Sequence, residues 1–217
     1  MLPLLGINEW KEETLSDFVA KIFKITFKPL ILIDGDGGSG KTTLARRLVN
    51  IFGANLVSTD DICWCADPVN WDGEMINGII LPWITEIDGK NVTYRPSGWV
   101  KENRHGFIEV DSSKPLIIEG IGAYRKSLRE FATYSVWVDT NPNIAKTRVI
   151  QRDLTAGFNG GTLESVTEFT DWWNSLVHPF IIKEEPWKYA DVIISGSQSD
   201  LNSDNLLIYI NDCTEGE

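Results

Sequence analysis

The sequence predicts an α/β fold of three layers, in which helices cover both faces of a central parallel sheet. Short continuous apolar runs, as at 30–34 (LILID), 114–119 (KPLIIE) and 134–139 (YSVWVD), are typical of strands buried on both faces. Segments with helical spacing alternate with these runs, which favours parallel strands joined by crossover helices. A length of 217 residues fits a single domain, 1–217.

The predicted elements follow from periodicity and from helix start and stop signals. Residues 62–110 are less regular and are rich in Trp, Pro and Gly. Leu206–Ile210 either pairs at a sheet edge or belongs to an acidic tail that hangs free. The expected elements are helices over 7–25, 41–52, 75–87 (with Asp72 placed to cap it), 141–153 and 163–184, and strands over 30–34, 55–58, 114–119, 134–139 and 190–195.

The charge balance limits the classes of partner. The chain has 31 acidic and 20 basic residues, so its net charge is −11. A negative field repels nucleic-acid phosphates, which argues against a general nucleic-acid-binding protein. Any bound anion must therefore be held by a local site.

Composition also bears on location. No apolar run approaches the roughly 20 residues needed to span a bilayer. No basic residue precedes Lys11, which disfavours a secretory signal. The three cysteines, Cys63, Cys65 and Cys213, fit a reducing compartment and offer too few ligands for a closed zinc site. We expect a soluble, cytoplasmic protein; whether it forms a homo-oligomer is left open.

The strongest motif is the glycine-rich turn 35–42 (GDGGSGKT), a G-x4-G-K-[ST] match between a predicted strand and a predicted helix. Glycines let backbone N–H groups surround a phosphate, and the helix N-terminus adds positive charge. The lysine reaches the β- and γ-phosphates and the threonine hydroxyl ligates Mg²⁺. The motif predicts a nucleotide site formed by Gly35, Asp36, Gly37, Gly38, Ser39, Gly40, Lys41, Thr42 and Thr43.

A phosphate-binding loop (P-loop) alone does not separate kinases from other nucleotide-binding proteins. The chain lacks the N-K-x-D element by which GTPases recognise guanine, and a large ATPase usually needs a longer chain. A small kinase needs an acid after the second strand, arginines near the phosphates and room for an acceptor. This class fits best.

Acids and arginines occur where such a kinase needs them. Asp60 and Asp61 follow the second strand, and Glu119 ends another, so they should face the cleft at the carboxyl edge of the sheet. Asp60 can accept a proton from an acceptor hydroxyl and help hold Mg²⁺. Glu119 is placed to contact the magnesium shell. Arg148 and Arg152, four residues apart, can stabilise a transferred phosphoryl group. The alternatives are solvated turn acids and an ordinary ion pair of Arg152 with Asp153.

Taken together, these stretches resemble the uridine kinase family, within a wider group of P-loop kinases that includes pantothenate kinase and phosphoribulokinase. The resemblance runs from about Leu30 to Ser195. It implies an ATP- and Mg²⁺-dependent kinase with Asp60 as catalytic base and Glu119 as an acid of the magnesium shell. The segments that carry it are 33–43 (IDGDGGSGKTT), 58–63 (STDDIC), 70–72 (NWD), 117–124 (IIEGIGAY), 148–153 (RVIQRD) and 188–194 (KYADVII).

The resemblance also assigns an acceptor region to 62–110 and a lid to about 148–163. Asp72 is the residue expected to bind the ribose of the acceptor. Arg104 and Trp99 match a family segment that contacts base and ribose, so both are expected to bind the acceptor, with Trp99 as the aromatic ring that stacks on a base. Core packing is the competing interpretation for any single Trp. The family places a Tyr and a His where this chain has Ser97 and Glu102, and a lid arginine where it has none.

Three functions therefore stay open. The favoured one is phosphorylation of the 5′-hydroxyl of uridine or cytidine. The second is a kinase of the same fold that acts on another small alcohol, such as a sugar, pantothenate or a modified nucleoside. The third is an ATP-binding regulatory module without catalysis, which the missing lid arginine suggests.

Overall fold

The computed structural model describes residues 2–3, 5–7, 9–86, 89–197 and 204–210. Within them, seven strands form one sheet and two form a separate antiparallel hairpin. The strands are β1 (Lys11–Thr14), β2 (Leu30–Gly35), β3 (Asn55–Ser58), β4 (Asn91–Tyr94), β5 (Ile108–Asp111), β6 (Leu116–Glu119), β7 (Tyr134–Asp139), β8 (Val192–Ser195) and β9 (Asn205–Ile210).

Helices connect most of these strands. In chain order they are α1 (Leu15–Phe23), α2 (Lys41–Phe52), α3 (Thr59–Cys63), α4 (Asp72–Met75), a π-helical turn (Ile76–Ile80), α5 (Leu81–Thr85), α6 (Ser97–Lys101), α7 (Lys126–Arg129), α8 (Pro142–Ala156), α9 (Leu163–Glu184) and α10 (Pro186–Tyr189).

The main sheet is mixed, with the spatial order β1-β9-β8-β7-β2-β6-β3. Strands β3, β6, β2, β7 and β8 run parallel, whereas β9 and β1 are antiparallel to their neighbours. Strand β2 pairs with β6 on one side and β7 on the other. Because the order of strands switches direction at β2, a crevice opens beyond its carboxyl end, where α/β proteins bind ligands.

Two hydrophobic cores confirm the predicted three layers. Alternate side chains of a strand point to opposite faces, so Leu30 and Leu32 enter one core, and Ile31 and Ile33 enter the other. The first core packs against α4, α5 and α9, and the second against α1 and α2. Burial on both faces explains why β2 is continuously apolar.

The predicted N-terminal helix over 7–25 is wrong at its start. Residues Lys11–Thr14 form β1, which pairs antiparallel with β9, and the helix begins only at Leu15. Thr14 caps it by accepting a hydrogen bond from the Asp17 N–H. The helical spacing of apolar residues begins before Thr14, which is why the helix was predicted to start at residue 7. Pairing with β9 instead makes residues 11–14 a strand.

The predicted helix over 75–87 starts earlier and is not a regular α-helix. It runs from Asp72 to Thr85 through the π-helical turn, and Ile87 lies outside the described residues. Asp72 is its first residue rather than its cap, since Trp71 occupies the cap position. The β4–β5 hairpin, with Asn91 paired to Asp111, was not predicted.

The C-terminal strand is confirmed but lies deeper than an edge. Strand β9 pairs with both β8 and β1, and its Leu206 and Ile208 side chains are buried. It is therefore not part of a free tail. The third cysteine, Cys213, lies outside the described residues.

Candidate active site

The glycine-rich turn joins β2 to α2 at the crevice. Gly40 occupies the N-cap of α2 with a φ of 103°, and α2 begins without a side-chain cap. Gly38 has a φ of 77°, and a Cβ atom there would lie 2.2 Å from the Ala145 carbonyl oxygen of α8. Both positions require glycine, because the backbone is left-handed at each and α8 touches the turn at Gly38. The local geometry is that of an anion-binding helix N-terminus.

Polar side chains of the turn point inward. The Lys41 Nζ donates to the Asp36 carbonyl oxygen over 3.1 Å. The Ser39 Oγ is buried and has no hydrogen-bond partner among the described residues. A buried hydroxyl without a partner is costly unless a ligand supplies one. The turn therefore fits a bound phosphate chain.

Thr42 and Glu119 meet beside this turn. The Thr42 Oγ1 donates to the Glu119 Oε2 over 3.1 Å. Glu119 ends β6, which pairs with β2, so parallel register carries the carboxylate to the same edge. Burial raises the pKa of Glu119 above its usual value, and the negative charge of Asp60 raises it further. The positive charge of Lys41 lowers the pKa of Glu119. Hydroxyl and carboxylate oxygens are the ligands that Mg²⁺ prefers.

Asp60 lies on the same edge. It stands in the first turn of α3, directly after β3, and its backbone N–H is capped by the Ser58 Oγ at 3.3 Å. Its side chain is exposed, and its charge is close enough to influence Glu119. An exposed carboxylate beside a phosphate site has access to an acceptor hydroxyl.

The two predicted arginines are engaged differently. The Arg148 Nη1 donates to the Gly196 carbonyl at 2.7 Å and the Gly38 carbonyl at 3.5 Å, which ties α8 to the turn. The exposed Arg152 donates from Nε to the buried Asp153 at 2.7 Å. Arg152 thus forms the ion pair that was the alternative interpretation.

Asp72 lies next to an arginine that sequence reasoning missed. The Arg125 Nη1 is 3.5 Å from the Asp72 Oδ1 and donates to the Val69 carbonyl at 2.5 Å. The guanidinium is buried between the rings of Trp71 and Phe180, at 3.9 and 4.5 Å from their centroids. This arrangement fixes the orientation of the Asp72 carboxylate.

Trp99 is buried and built into the protein. Its Nε1 donates to the Asp61 carbonyl at 2.8 Å, and the Arg104 guanidinium lies 3.6 Å from its ring centroid. Arg104 also pairs with the Asp61 carboxylate at 3.1 Å. Because Arg104 covers one ring face, the geometry favours the packing interpretation of Trp99 over stacking on a base. Asp61 was expected to face the cleft, but its carboxylate pairs with Arg104 and its carbonyl accepts from Trp99.

Comparison with known proteins identifies the fold and a relative. No protein-family model matches the chain. Phosphoribulokinase from Synechocystis sp. (strain ATCC 27184 / PCC 6803 / Kazusa) is 27% identical over 183 residues, covering 76% of this chain and 52% of that protein. The chain therefore spans about half the length of this relative.

Two solved structures share the architecture. A possible uridine kinase from Bacillus stearothermophilus gives a TM-score of 0.50 at 23% identity, over 82% of this chain and 95% of that chain. A candidate fructose transport system kinase from Silicibacter sp. TM1040 gives 0.52 at 16% identity, over the same shares. The chain has the P-loop kinase fold. Its predicted resemblance to uridine kinase-like proteins is confirmed at the level of the fold.

Within the P-loop kinase fold, the two departures from the family pattern have local roles. Ser97 donates from its N–H to the Glu74 Oε2 at 3.0 Å, and its hydroxyl bonds the same carboxylate. Tyr94 donates to Glu74 as well, at 2.8 Å. Glu102 is exposed and lies 3.8 Å from the Lys101 ammonium. Ser97 is thus occupied by Glu74 rather than held open toward a ligand.

Sequence reasoning also missed Asp34, the last acid of β2 before the P-loop. Its buried carboxylate accepts from the N–H groups of Gly35 at 2.7 Å, Gly122 at 2.9 Å and Tyr124 at 3.0 Å. Burial raises its pKa to about 6, although those bonds and the Lys41 charge act in the opposite direction. Asp34 could have been found from the sequence, because it is an acid at the end of a predicted buried strand.

His178 is the third missed residue. It lies on α9, far from the P-loop in sequence, and its Nε2 is 3.0 Å from the Asp36 Oδ1. The local sequence around His178 does not predict this contact, because the contact arises only from the tertiary packing of α9.

Two kinds of feature are absent from the described residues. No group of three or more His, Cys, Asp and Glu side chains is placed to hold a metal ion within the described part of the chain. Among the described helices, none combines the length and the apolar character that crossing a bilayer requires. Mg²⁺ that binds with a nucleotide commonly uses only one or two carboxylates together with phosphate oxygens.

Proposed function

We propose that the protein is an ATP- and Mg²⁺-dependent kinase that phosphorylates a hydroxyl of a small molecule. The 5′-hydroxyl of uridine or cytidine is the first candidate acceptor. The observation that carries the proposal is the hydrogen bond between Thr42 and Glu119 beside Lys41, on the sheet edge where Asp60 is exposed. The similarity to a phosphoribulokinase supports the class of reaction.

The P-loop would hold the nucleotide. Its backbone N–H groups and the start of α2 suit the phosphates, and the buried Ser39 hydroxyl offers one more contact. Lys41, bonded here to the Asp36 carbonyl, would turn to the β- and γ-phosphates. Thr42 and Glu119, with Asp60, would hold Mg²⁺, which when bound neutralises negative charge on the phosphates.

Asp60 would accept the proton of the acceptor hydroxyl. It is exposed, and it follows the strand beside β6, next to the oxygen ligands. Asp72, fixed by Arg125, would bind hydroxyls of the acceptor. Arg148 and Arg152 would stabilise charge on the transferred group, which requires Arg152 to leave Asp153.

A second candidate is a kinase of the same fold for another small alcohol. Ser97 is bonded to Glu74, and Trp99 is covered on one face by Arg104, so neither is arranged to read a pyrimidine base. A site without base-directed polar groups discriminates weakly among bases. This observation favours a sugar or another polyol as acceptor.

The test is ADP release with ATP and Mg²⁺ over nucleosides, sugars and pantothenate, for wild type and Asp60→Asn. If Asp60 is the base, Asp60→Asn should lower kcat by at least about a hundredfold. The affinity for ATP measured without Mg²⁺ should change little, because the carboxylate acts on the acceptor and on the metal ion and not on the nucleotide itself. Asp17→Asn, an exposed change in the first turn of α1, is the matched control and should keep full activity.

The outcomes separate the candidates. Release driven by uridine or cytidine supports the first proposal, and release driven only by another alcohol supports the second. If ATP binds but no acceptor drives release, the protein is a nucleotide-binding regulatory module. Full activity of Asp60→Asn would contradict the assignment of the base.

A further inference from the structure

Asp36 places a negative charge inside a loop suited to bind negative charge. Its Oδ1 accepts from the Gly37 N–H at 2.7 Å, and its carbonyl accepts from the Ser39 N–H and from Lys41, each at 3.1 Å. The side chain is only 13% exposed. In such a partly buried place, charges interact more strongly than in water. A free Asp36 carboxylate would therefore oppose a polyphosphate.

The same residue occupies donors that a phosphate would use. The Gly37 N–H and the Lys41 ammonium are both bonded to Asp36. When these donors turn to a phosphate, the Asp36 carboxylate loses the Gly37 N–H. It then needs another donor, because an unpaired buried carboxylate is costly.

His178 supplies that donor from α9. Its Nε2 lies 3.0 Å from the Asp36 Oδ1, and its side chain is 10% exposed. Since a carboxylate only accepts hydrogen bonds, the ring nitrogen must donate. The contact holds the carboxylate on the side of the loop that faces α9.

We propose that His178 is a positioning residue of the nucleotide site, which holds the Asp36 carboxylate so that the P-loop can bind a triphosphate. The inference rests on the proposed function, because it takes ATP to be the ligand. It predicts that His178 affects nucleotide affinity through Asp36 alone. If His178 only packed α9 against the loop, its substitution would change ATP affinity equally with Asp or with Asn at position 36.

The experiment measures the Kd of ATP with Mg²⁺ by titration calorimetry on the full chain. His178→Asn is the test variant, because its amide ends near the Nδ1 position and cannot reach Asp36. His178→Gln is the matched control, since its longer amide places a donor near the Nε2 position. Thermal unfolding followed by circular dichroism reports whether both variants fold.

The expected loss for His178→Asn is about tenfold in affinity, the effect of one poorly compensated charge near a phosphate. His178→Gln should stay within about threefold of wild type, because a hydrogen bond to a charged group is kept. Asp36→Asn removes the charge, so Asp36→Asn/His178→Asn should bind ATP as tightly as Asp36→Asn alone.

Two results would overturn the inference while the proposed function stands. One is an equal loss from His178→Asn in the wild-type and Asp36→Asn backgrounds, which means that His178 acts by packing. The other is wild-type affinity in His178→Asn. If His178→Asn does not fold, His178→Leu takes its place in the same cycle and is judged by the same criteria. A wild-type protein that binds no ATP overturns the proposed function itself, and this inference with it.

Discussion

Single buried acids show how the site balances charge. Asp34 accepts three backbone N–H bonds and is fully enclosed, whereas Glu119 accepts a threonine hydroxyl beside Lys41. Burial raises the pKa of both carboxyl groups. Asp34 has no access to an acceptor, so its function is to join the P-loop to the loop after β6. Glu119 retains a polar environment suited to a cation.

The stability contributed by Asp34 should depend on pH. Its pKa is about 6 in the folded protein against 3.8 for the unperturbed group. A raised carboxyl pKa gives stability that is full below the unfolded value and is lost as pH rises through the folded value. The unfolding free energy of wild type minus that of Asp34→Asn should fall by about 3 kcal/mol from pH 3 to pH 7.

Urea unfolding at pH 3, 4, 5, 6 and 7 measures this difference. Most of the change should fall between pH 4 and pH 6. Asp17→Asn, an exposed Asp-to-Asn change, is the control for the substitution itself. A difference between wild type and Asp34→Asn that is independent of pH would contradict the predicted titration.

How far single residues could be predicted depended on where their partners lie in the chain. The P-loop residues form a contiguous motif, so spacing alone was sufficient to place them on the β2–α2 turn. Arg125 and His178 could not be found, because Asp72 and Asp36, their partners, lie 53 and 142 positions away. The stacking prediction for Trp99 failed to account for Arg104, which reaches the ring from a neighbouring turn.

At the level of the elements, α8 and α9 both contact the P-loop. Arg148 and Ala145 of α8 contact the turn at Gly38, and His178 of α9 contacts Asp36. The predicted lid, about 148–163, includes the second half of α8 and ends where α9 begins. Because both bear directly on the phosphate-binding turn, a shift of either helix would reach the nucleotide site.

Gly38→Ala should therefore abolish tight ATP binding. The new Cβ would meet the Ala145 carbonyl at 2.2 Å, and the φ of 77° is unfavourable as well. Gly53→Ala is the matched control, since Gly53 has a φ of 62° but no atom within 4 Å of a new Cβ. We expect Gly53→Ala to cost about 1–2 kcal/mol of stability and leave binding unchanged.

Comparing Gly38→Ala with Gly53→Ala separates the effect of backbone strain, which both variants have, from the collision with the Ala145 carbonyl, which only Gly38→Ala has. Calorimetric titration with ATP and Mg²⁺, together with urea unfolding, measures both quantities for each variant. Equal ATP affinity in Gly38→Ala and Gly53→Ala would show that α8 does not constrain the turn.

The elements of the central sheet were predictable because each carries its own signal. A continuous apolar run or a P-loop is readable locally, and β2, α2, β3, β7 and α9 have the predicted bounds within a residue or two. Strand β1 was not readable, since Lys11–Thr14 has little apolar character and is extended only because β9 lies beside it. The β4–β5 hairpin also depends on pairing between segments that lack strong periodicity.

At the level of the whole molecule, the parallel sheet is extended by two antiparallel strands. Strand β9 covers β8, and the short, mostly polar β1 covers β9 in turn. An apolar strand with unpaired N–H and C=O groups invites pairing with other molecules. Strand β1 therefore shields β9, whose Leu206 and Ile208 belong to a core.

Removal of β1 should destabilise the protein and promote its association. We compare a variant that starts at Lys11 with one that starts at Thr14, because both keep the Thr14 cap of α1 and only the second loses most of the β1 pairing. The shorter variant should unfold about 2–4 °C lower for each kcal/mol lost. Differential scanning calorimetry and sedimentation velocity measure the two effects. Identical melting and sedimentation of the pair would contradict a shielding role.

The π-helical turn Ile76–Ile80 has a consequence for how chains of this kind align. A π-helix bonds i to i+5, so it holds one residue more than an α-helical turn in the same place. Upstream of it, Trp71 packs on Arg125; downstream, the Trp83 Nε1 donates to the Lys114 carbonyl. A homologous chain shorter by one residue between these tryptophans would form an uninterrupted α-helix and keep both orientations. A one-residue gap at this point in an alignment therefore marks a local change of helix type, and the flanking tryptophans remain equivalent.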